Sequence, residues 1–202
     1  SVREFMAERT EASVSDLMKS LAEMGFMGIF FDEDLGGAGS DFVSYIVTVQ
    51  EIAKVSPSAA LLYAINNTQA AYALNKFGAK AVQEKYLPKI FGGEYIASYA
   101  YSEQGVGEDL LSIDAKAEKT DSGYKLNGTK TFVLNGGDSD LYIVYAQTEK
   151  GLSVFAVEGS AEGVSFSEPY TKMGLDGLPA ATMTLTNVEI PAENLIGEEG
   201  QG

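Results

Sequence analysis

The sequence predicts an α+β protein, with an N-terminal all-helical domain over residues 1–96 followed by an antiparallel β-barrel or sandwich domain over residues 97–202. Three observations carry that reading. In the first half, apolar residues recur every three to four positions. After Ile96, short β-branched and aromatic runs alternate with turn residues. The two patterns are segregated along the chain, which argues against a βαβ repeat.

The helical pattern opens with Val14, Leu17, Met18, Leu21 and Met24, with Ser13 or Ser15 as caps and Gly25 as the stop. Phe26 to Phe31 is a buried-looking run that breaks at Asp32-Glu33-Asp34 and the glycines Gly36, Gly37 and Gly39. A second helix places Phe42, Tyr45, Ile46, Val49 and Ala53 on one face. A third starts near Pro57, carries Leu61, Leu62, Ile65 and Tyr72, and stops at Gly78. A shorter one carries Val82, Tyr86 and Leu87 and is limited by Pro88 and Gly92-Gly93. In the second half, Ala115 and Ala117 alternate with charged neighbours, and Asn127-Gly128 reads as a hairpin turn. Leu141–Ala146 and Leu152–Val157 read as central strands, with further strands at Val164–Phe166 and Thr182–Leu185.

Composition narrows the chemistry. At 202 residues, with 45% hydrophobic and 21% charged, the chain can bury a sizeable core. Fourteen basic against 29 acidic residues give a net charge of −15, which speaks against a nucleic-acid partner. There is no Cys and no His, so disulfides, thiolate nucleophiles, imidazole catalysis and Cys or His metal ligation are excluded. Chemistry falls to carboxylates, hydroxyls, Lys, Arg, backbone groups or a borrowed cofactor. The charged opening Ser1–Phe5 lacks the apolar core of a secretory signal, and the longest charge-free run, Val55 to Asn75, is too polar to span a membrane. A cytoplasmic protein without membrane contact is expected.

Each local motif has a bland reading. Asp32-x-Asp34 lacks the later ligands of a calcium loop and reads as a solvated acidic loop. Gly36-Gly37-Ala38-Gly39 lacks the Lys-Ser/Thr of a P-loop and reads as a tight interhelical turn. Gly105-Val106-Gly107 does not complete a dinucleotide fingerprint. Glu108-Asp109 at the predicted domain join reads either as a solvent-facing pair or, behind two glycines that let backbone amides approach a ligand, as part of a site.

Several collinear stretches together resemble the acyl-CoA dehydrogenase family. They are Met24–Ile29 with Leu35–Asp41, then Gly78 with Lys85–Ile90, and the segment Ala97–Asp109, which is similar to that family's flavin loop. Leu126–Gly136 is similar to its "NGxKxWITNG" hairpin, and Lys172–Leu175 with Val188–Gly200 completes the match. The resemblance implies a helical domain, a middle β-barrel domain, and a C-terminal four-helix domain that would begin about where this chain stops. It implies FAD as cofactor, an acyl-CoA substrate oxidised at its α,β carbons, an electron-transfer flavoprotein as acceptor, and a homo-oligomer. The glutamate that removes the α-proton lies in the family's C-terminal part, so no catalytic residue is assigned here.

By the same resemblance, Tyr99, Tyr101 and Ser102 fall on the flavin loop, and Phe132, Val133 and Leu134 fall on the hairpin against the ring system. Three positions depart from the family pattern. Leu134 replaces a Thr and removes a hydroxyl near the flavin. Glu108 stands at a Ser position associated with acyl-CoA binding, where a carboxylate repels an anionic ligand. Gln104 replaces a Pro. These departures leave three readings: a portion of a dehydrogenase that is inactive alone, a non-catalytic binding or assembly module on the same scaffold, or a flavin oxidase or monooxygenase of the same superfamily.

Overall fold

The computed structural model describes residues 12–106 and 111–202. Helix α1 (Ala12–Glu23) turns Met18 and Leu21 inward, three residues apart on one face. It includes Ser13 and Ser15, so neither stands at the expected cap position. The apolar run behind it is a series of turns, not a strand. Met27, Ile29 and Phe31 are buried there, and Ala38, Gly39 and Ser40 donate their amides back to Gly28, Phe31 and Ile29.

Helix α2 (Phe42–Val55) starts at Asp41, whose carboxylate accepts from the Ser44 amide at 2.7 Å. Its apolar face is wider than its contact. Tyr45 is buried, while Phe42 and Ile46 stay largely exposed. Helix α3 (Pro57–Ala64) has Ser56 as cap and Pro57 in its first turn. It continues through a π-helical segment, Ile65–Ala71, into α4 (Tyr72–Phe77), which ends at Gly78. The wider π turn lets two successive residues, Asn66 and Asn67, both point inward. Asn66 Oδ1 accepts from the Ala97 amide at 2.7 Å, and Asn67 Oδ1 accepts from the Gly28 amide at 2.9 Å. Helix α5 (Lys80–Phe91) runs through Pro88, contrary to the expected stop. Pro88 and Glu84, whose carbonyl loses its helical partner, are both exposed to water. No described helix is long and apolar enough to cross a membrane.

Eight strands follow among the described residues: β1 (Ala97–Ala100), β2 (Lys116–Lys119), β3 (Gly123–Leu134), β4 (Leu141–Thr148), β5 (Gly151–Glu158), β6 (Val164–Phe166), β7 (Ala180–Pro191) and β8 (Leu195–Ile196). They form one sheet in the order β6-β7-β3-β2-β4-β5-β8, with β1 paired to β4. The pairing is antiparallel except that β1 lies parallel to β4, and β2 meets β4 in parallel at Lys116 and Gln147. Asn127-Gly128 is not a turn. β3 runs straight through it with a register shift, and Gly128 at φ 156° lets the Ala115 backbone approach; a Cβ there would stand 2.7 Å from Ala115 Cα.

The middle strands are apolar on both faces because both faces are covered. Tyr142 and Val144 of β4 point into the sheet's own core with Leu126, Val133 and Phe155. Leu141 and Ile143 point the other way, onto Leu74, Tyr86, Leu87 and Ile90 of the helices. Across this second interface, Glu158 accepts from Lys85 Nζ at 2.9 Å and from the Tyr86 hydroxyl at 2.8 Å. The Lys85 ammonium holds the Glu158 carboxyl below its usual range.

Candidate functional site

Alternation along β1 sets the first wall of the site. Ala100 points into the sheet core, and Tyr99 and the following Tyr101 point out toward the helices. There they meet Tyr145 of β4 and Thr68, Gln69, Tyr72, Ala73 and Phe77 of the π segment and α4, around a groove of about 320 Å³ open to solvent. The Tyr101 and Tyr145 rings pack edge to face, 5.0 Å between centroids. Burial, reinforced by the neighbouring Tyr101 and Tyr99 hydroxyls, pushes the Tyr145 phenol up, so it stays neutral. Among the described residues, no formally charged side chain lines the groove.

A bulge in β3 builds the second wall. Lys130 pairs with Met183 and Val133 with Ala181, so three steps on β3 oppose two on β7. Phe132 sits in the bulge at φ 54°, an unusual conformation for an aromatic residue. It is 59% exposed, and its ring is backed on one side by Tyr170, stacked at 4.8 Å and 17°. Val133 differs from its neighbours. It is 1% exposed and belongs to the sheet core, so its side chain is closed to a ligand, and its backbone is paired with Ala181 and takes the Gly136 amide. Leu134 is half-buried against the helical core, and its carbonyl accepts from the Ser98 hydroxyl at 2.7 Å.

The two walls are bonded together. The Thr131 amide donates to the Ser102 carbonyl at 2.8 Å. Lys130 Nζ donates to Glu103 Oε1 at 2.6 Å and to the Tyr101 carbonyl at 3.2 Å. Glu103 Oε2 accepts from the Asp114 amide at 2.6 Å, and its carboxylate also takes the Ala115 amide. Both side chains of the ion pair are essentially inaccessible. Burial pulls the Lys130 ammonium below its ordinary range, against the opposing pull of the Glu103 carboxylate.

Of the residues singled out from sequence, Tyr99, Tyr101, Ser102, Phe132, Val133 and Leu134 come together, and Glu108 lies outside the described residues. Glu103, Lys130, Tyr145 and Tyr170 were not singled out. Lys130 carried a signal: a lysine inside an otherwise strand-like run whose alternation puts it on the core face with Leu126.

An exposed Ser102 hydroxyl beside an exposed aromatic face is a donor set that suits a flat ring with one polar edge, as a flavin has. Helices followed by a sheet with this two-walled cradle form an architecture that comparison with known proteins identifies. Residues 1–94 match the acyl-CoA dehydrogenase N-terminal domain and residues 98–188 match the acyl-CoA dehydrogenase middle domain. The chain belongs to the acyl-CoA dehydrogenase family. It is 34% identical over 200 residues to an acyl-CoA dehydrogenase of Bacillus subtilis, covering 96% of this chain and 53% of that protein. The structure of butyryl-CoA dehydrogenase from Megasphaera elsdenii superposes with a TM-score of 0.89 at 30% identity, over 100% of this chain and 57% of that one. An acyl-CoA dehydrogenase complexed with FAD from Bacillus anthracis gives 0.90 at 32%, over 95% and 34%. The chain spans about half the length of the curated relatives it matches.

Proposed function

We propose that this chain is the helical and middle-domain part, divided near residue 96, of a flavin-dependent dehydrogenase that oxidises an acyl-CoA thioester at its α,β carbons. The observation that carries this is the joining of the Ser102 turn to the Phe132 bulge beside an uncharged groove. FAD, when bound, supplies a two-electron acceptor for the hydride leaving the β-carbon. Ser102 would offer its hydroxyl to a polar edge of the cofactor, and Phe132, backed by Tyr170 on one side, would offer an aromatic face. Leu134 would contribute through its backbone amide, and Val133, bound to β7 at Ala181 and to the Gly136 amide, would contribute by holding the bulge. Tyr99, Tyr101 and Tyr145 wall one side of the groove that takes the acyl group. Glu108 stands, by the family resemblance, at a position associated with acyl-CoA binding. No residue of this chain is assigned as the base for the α-proton. An electron-transfer flavoprotein as acceptor, association into a homo-oligomer and a cytoplasmic setting complete the proposal.

The test is FAD titration and dye reduction by acyl-CoA, with the natural-length protein and with residues 1–202 alone. The natural-length protein is expected to bind FAD stoichiometrically and reduce the dye. The 202-residue chain is expected to bind FAD weakly and turn over nothing, because an open site leaves its donors competing with water. Absence of FAD binding by both would overturn the reading. One observation favours the non-catalytic module: Leu134 lacks a hydroxyl and its carbonyl is already taken by Ser98. FAD bound without acyl-CoA turnover in the natural-length protein selects that alternative.

A further inference from the structure

Lys130 and Glu103 are not on the groove, yet the chain buries Lys130 fully and Glu103 almost fully. A buried ion pair is costly to desolvate and is often replaceable by apolar residues without loss of stability. Its retention here coincides with an unusual set of bonds. Glu103 follows Ser102 directly, and its carboxylate gathers Lys130 of β3 together with the amides of Asp114 and Ala115, which lead into β2. Lys130 adds the Tyr101 carbonyl, on the other side of Ser102. It lies two residues before Phe132, at the edge of the bulge. The pair thus ties the end of β1, the entry to β2 and the bulge of β3 at one point, next in sequence to Ser102 and two residues from Phe132.

We infer that Glu103 and Lys130 are positioning residues, a buried clamp that fixes the Ser102 hydroxyl relative to the Phe132 ring and so sets FAD affinity. The inference rests on the flavin reading above. The clamp acts through geometry and touches neither FAD nor substrate. The Thr131–Ser102 bond between walls does not fix a turn by itself; the further bonds, to the Glu103 carboxylate and the Tyr101 carbonyl, remove its remaining freedom.

The experiment uses the natural-length protein with Lys130→Met, the double variant Glu103→Gln/Lys130→Met, and Val188→Ala as a control in the sheet core on β7. Each is titrated with FAD, followed by flavin fluorescence and visible absorption, at a temperature where circular dichroism shows it folded. Lys130→Met leaves a carboxylate buried without its cation and loses thermal stability. The double variant removes that stranded charge and recovers much of the melting temperature, while the introduced glutamine carbonyl still accepts the amides. If the pair is a clamp, both variants bind FAD about tenfold or more weakly than wild type and the control binds normally at a comparable loss of stability. If the pair is only structural, FAD affinity follows melting temperature: the double variant recovers both, or the control loses both, and either result overturns the inference. Variants that bind FAD within about threefold of wild type overturn it too. Wild-type protein that binds no FAD sinks the flavin reading itself, and the clamp's purpose with it. Amide exchange gives a second readout: with the Lys130 bonds to Glu103 and the Tyr101 carbonyl gone, faster exchange at Thr131, which bonds Ser102, is expected in the double variant, and unchanged exchange there overturns the clamp.

Discussion

Replacing Asn66 by Ala tests how the helices hold the strand that carries the tyrosines. Asn66 Oδ1 takes the Ala97 amide at 2.7 Å inside the protein, where both residues are fully buried. Losing the acceptor strands that amide, at a cost of about 1–3 kcal/mol. The missing side-chain amide also leaves a small void, worth about 1 kcal/mol. Against this, Asn66 Nδ2 has no partner among the described residues, so its removal returns about 1 kcal/mol of desolvation. The net is a loss of about 2 kcal/mol, or about 4–8 °C in melting temperature for a chain of this size. Thermal melts by circular dichroism and urea titration measure it. Asn66→Asp sharpens the test. It keeps an acceptor but buries a carboxylate with no cation, so its folded pKa rises above the unfolded one. Its cost is then absent at pH values below the unfolded pKa and grows as pH rises towards the folded one. The Asp variant should melt closer to wild type at pH 4 than at pH 7. An Ala variant within about 1 °C of wild type, or an Asp variant as stable as wild type at pH 7, would show that this junction does not hold β1.

Other expectations follow from the same geometry. Glu158 has a depressed pKa owing chiefly to Lys85, so its contribution to stability is full above the unfolded carboxylate pKa and fades as pH falls through the lower folded value; Glu158→Gln should flatten that acid slope and cost only a few degrees, roughly, at pH 7, because the pair is partly solvated, as melts from pH 3 to 7 will show. Gly128→Ala forces a Cβ to within 2.7 Å of Ala115 Cα and should cost about 2–3 kcal/mol in urea titrations, since backbone cannot step aside as a side chain can. Ala73→Phe should fill the groove, raising KM for an acyl-CoA severalfold while leaving FAD affinity unchanged in a titration.

The segregation of helices and strands was legible because the period of the apolar pattern changes once, near Ile96, and never returns. The strands of the core were legible for the same reason: Leu141–Ala146 is apolar without interruption because helices and sheet interior compete for its two faces. What failed were local signals overruled by tertiary contact. Asn127-Gly128 carries hairpin chemistry, yet β7 lies alongside and binds it as a bulge, with Asn127 Oδ1 accepting from the Asn187 amide at 2.8 Å. Pro88 sits mid-helix because its lost bond faces water. The cradle's segments were legible as motifs, but the groove was not. Its lining comes from a π segment and from Tyr145, and neither a π turn nor the meeting of residues 68 and 145 around one groove leaves a periodic trace. Glu103 and Lys130 escaped for a related reason, since a pair 27 residues apart is visible only once β1 and β3 lie side by side.

The charges bear on what this half of a site recognises. The chain carries −15 overall, and the acyl-CoA of the proposed function is itself an anion, so long-range attraction would not draw such a ligand to this surface. Lys130, beside the cradle, is spent on Glu103 and is closed to solvent, so it cannot serve as a counter-charge. The groove presents phenol and phenyl rings, a methyl, an amide and a hydroxyl, and these suit the neutral acyl end of a thioester and not its phosphates. Recognition by such a surface works through burial of apolar area and ring contact, which salt screens little. On the proposed function, the acyl group is therefore the part of the thioester that these residues would select.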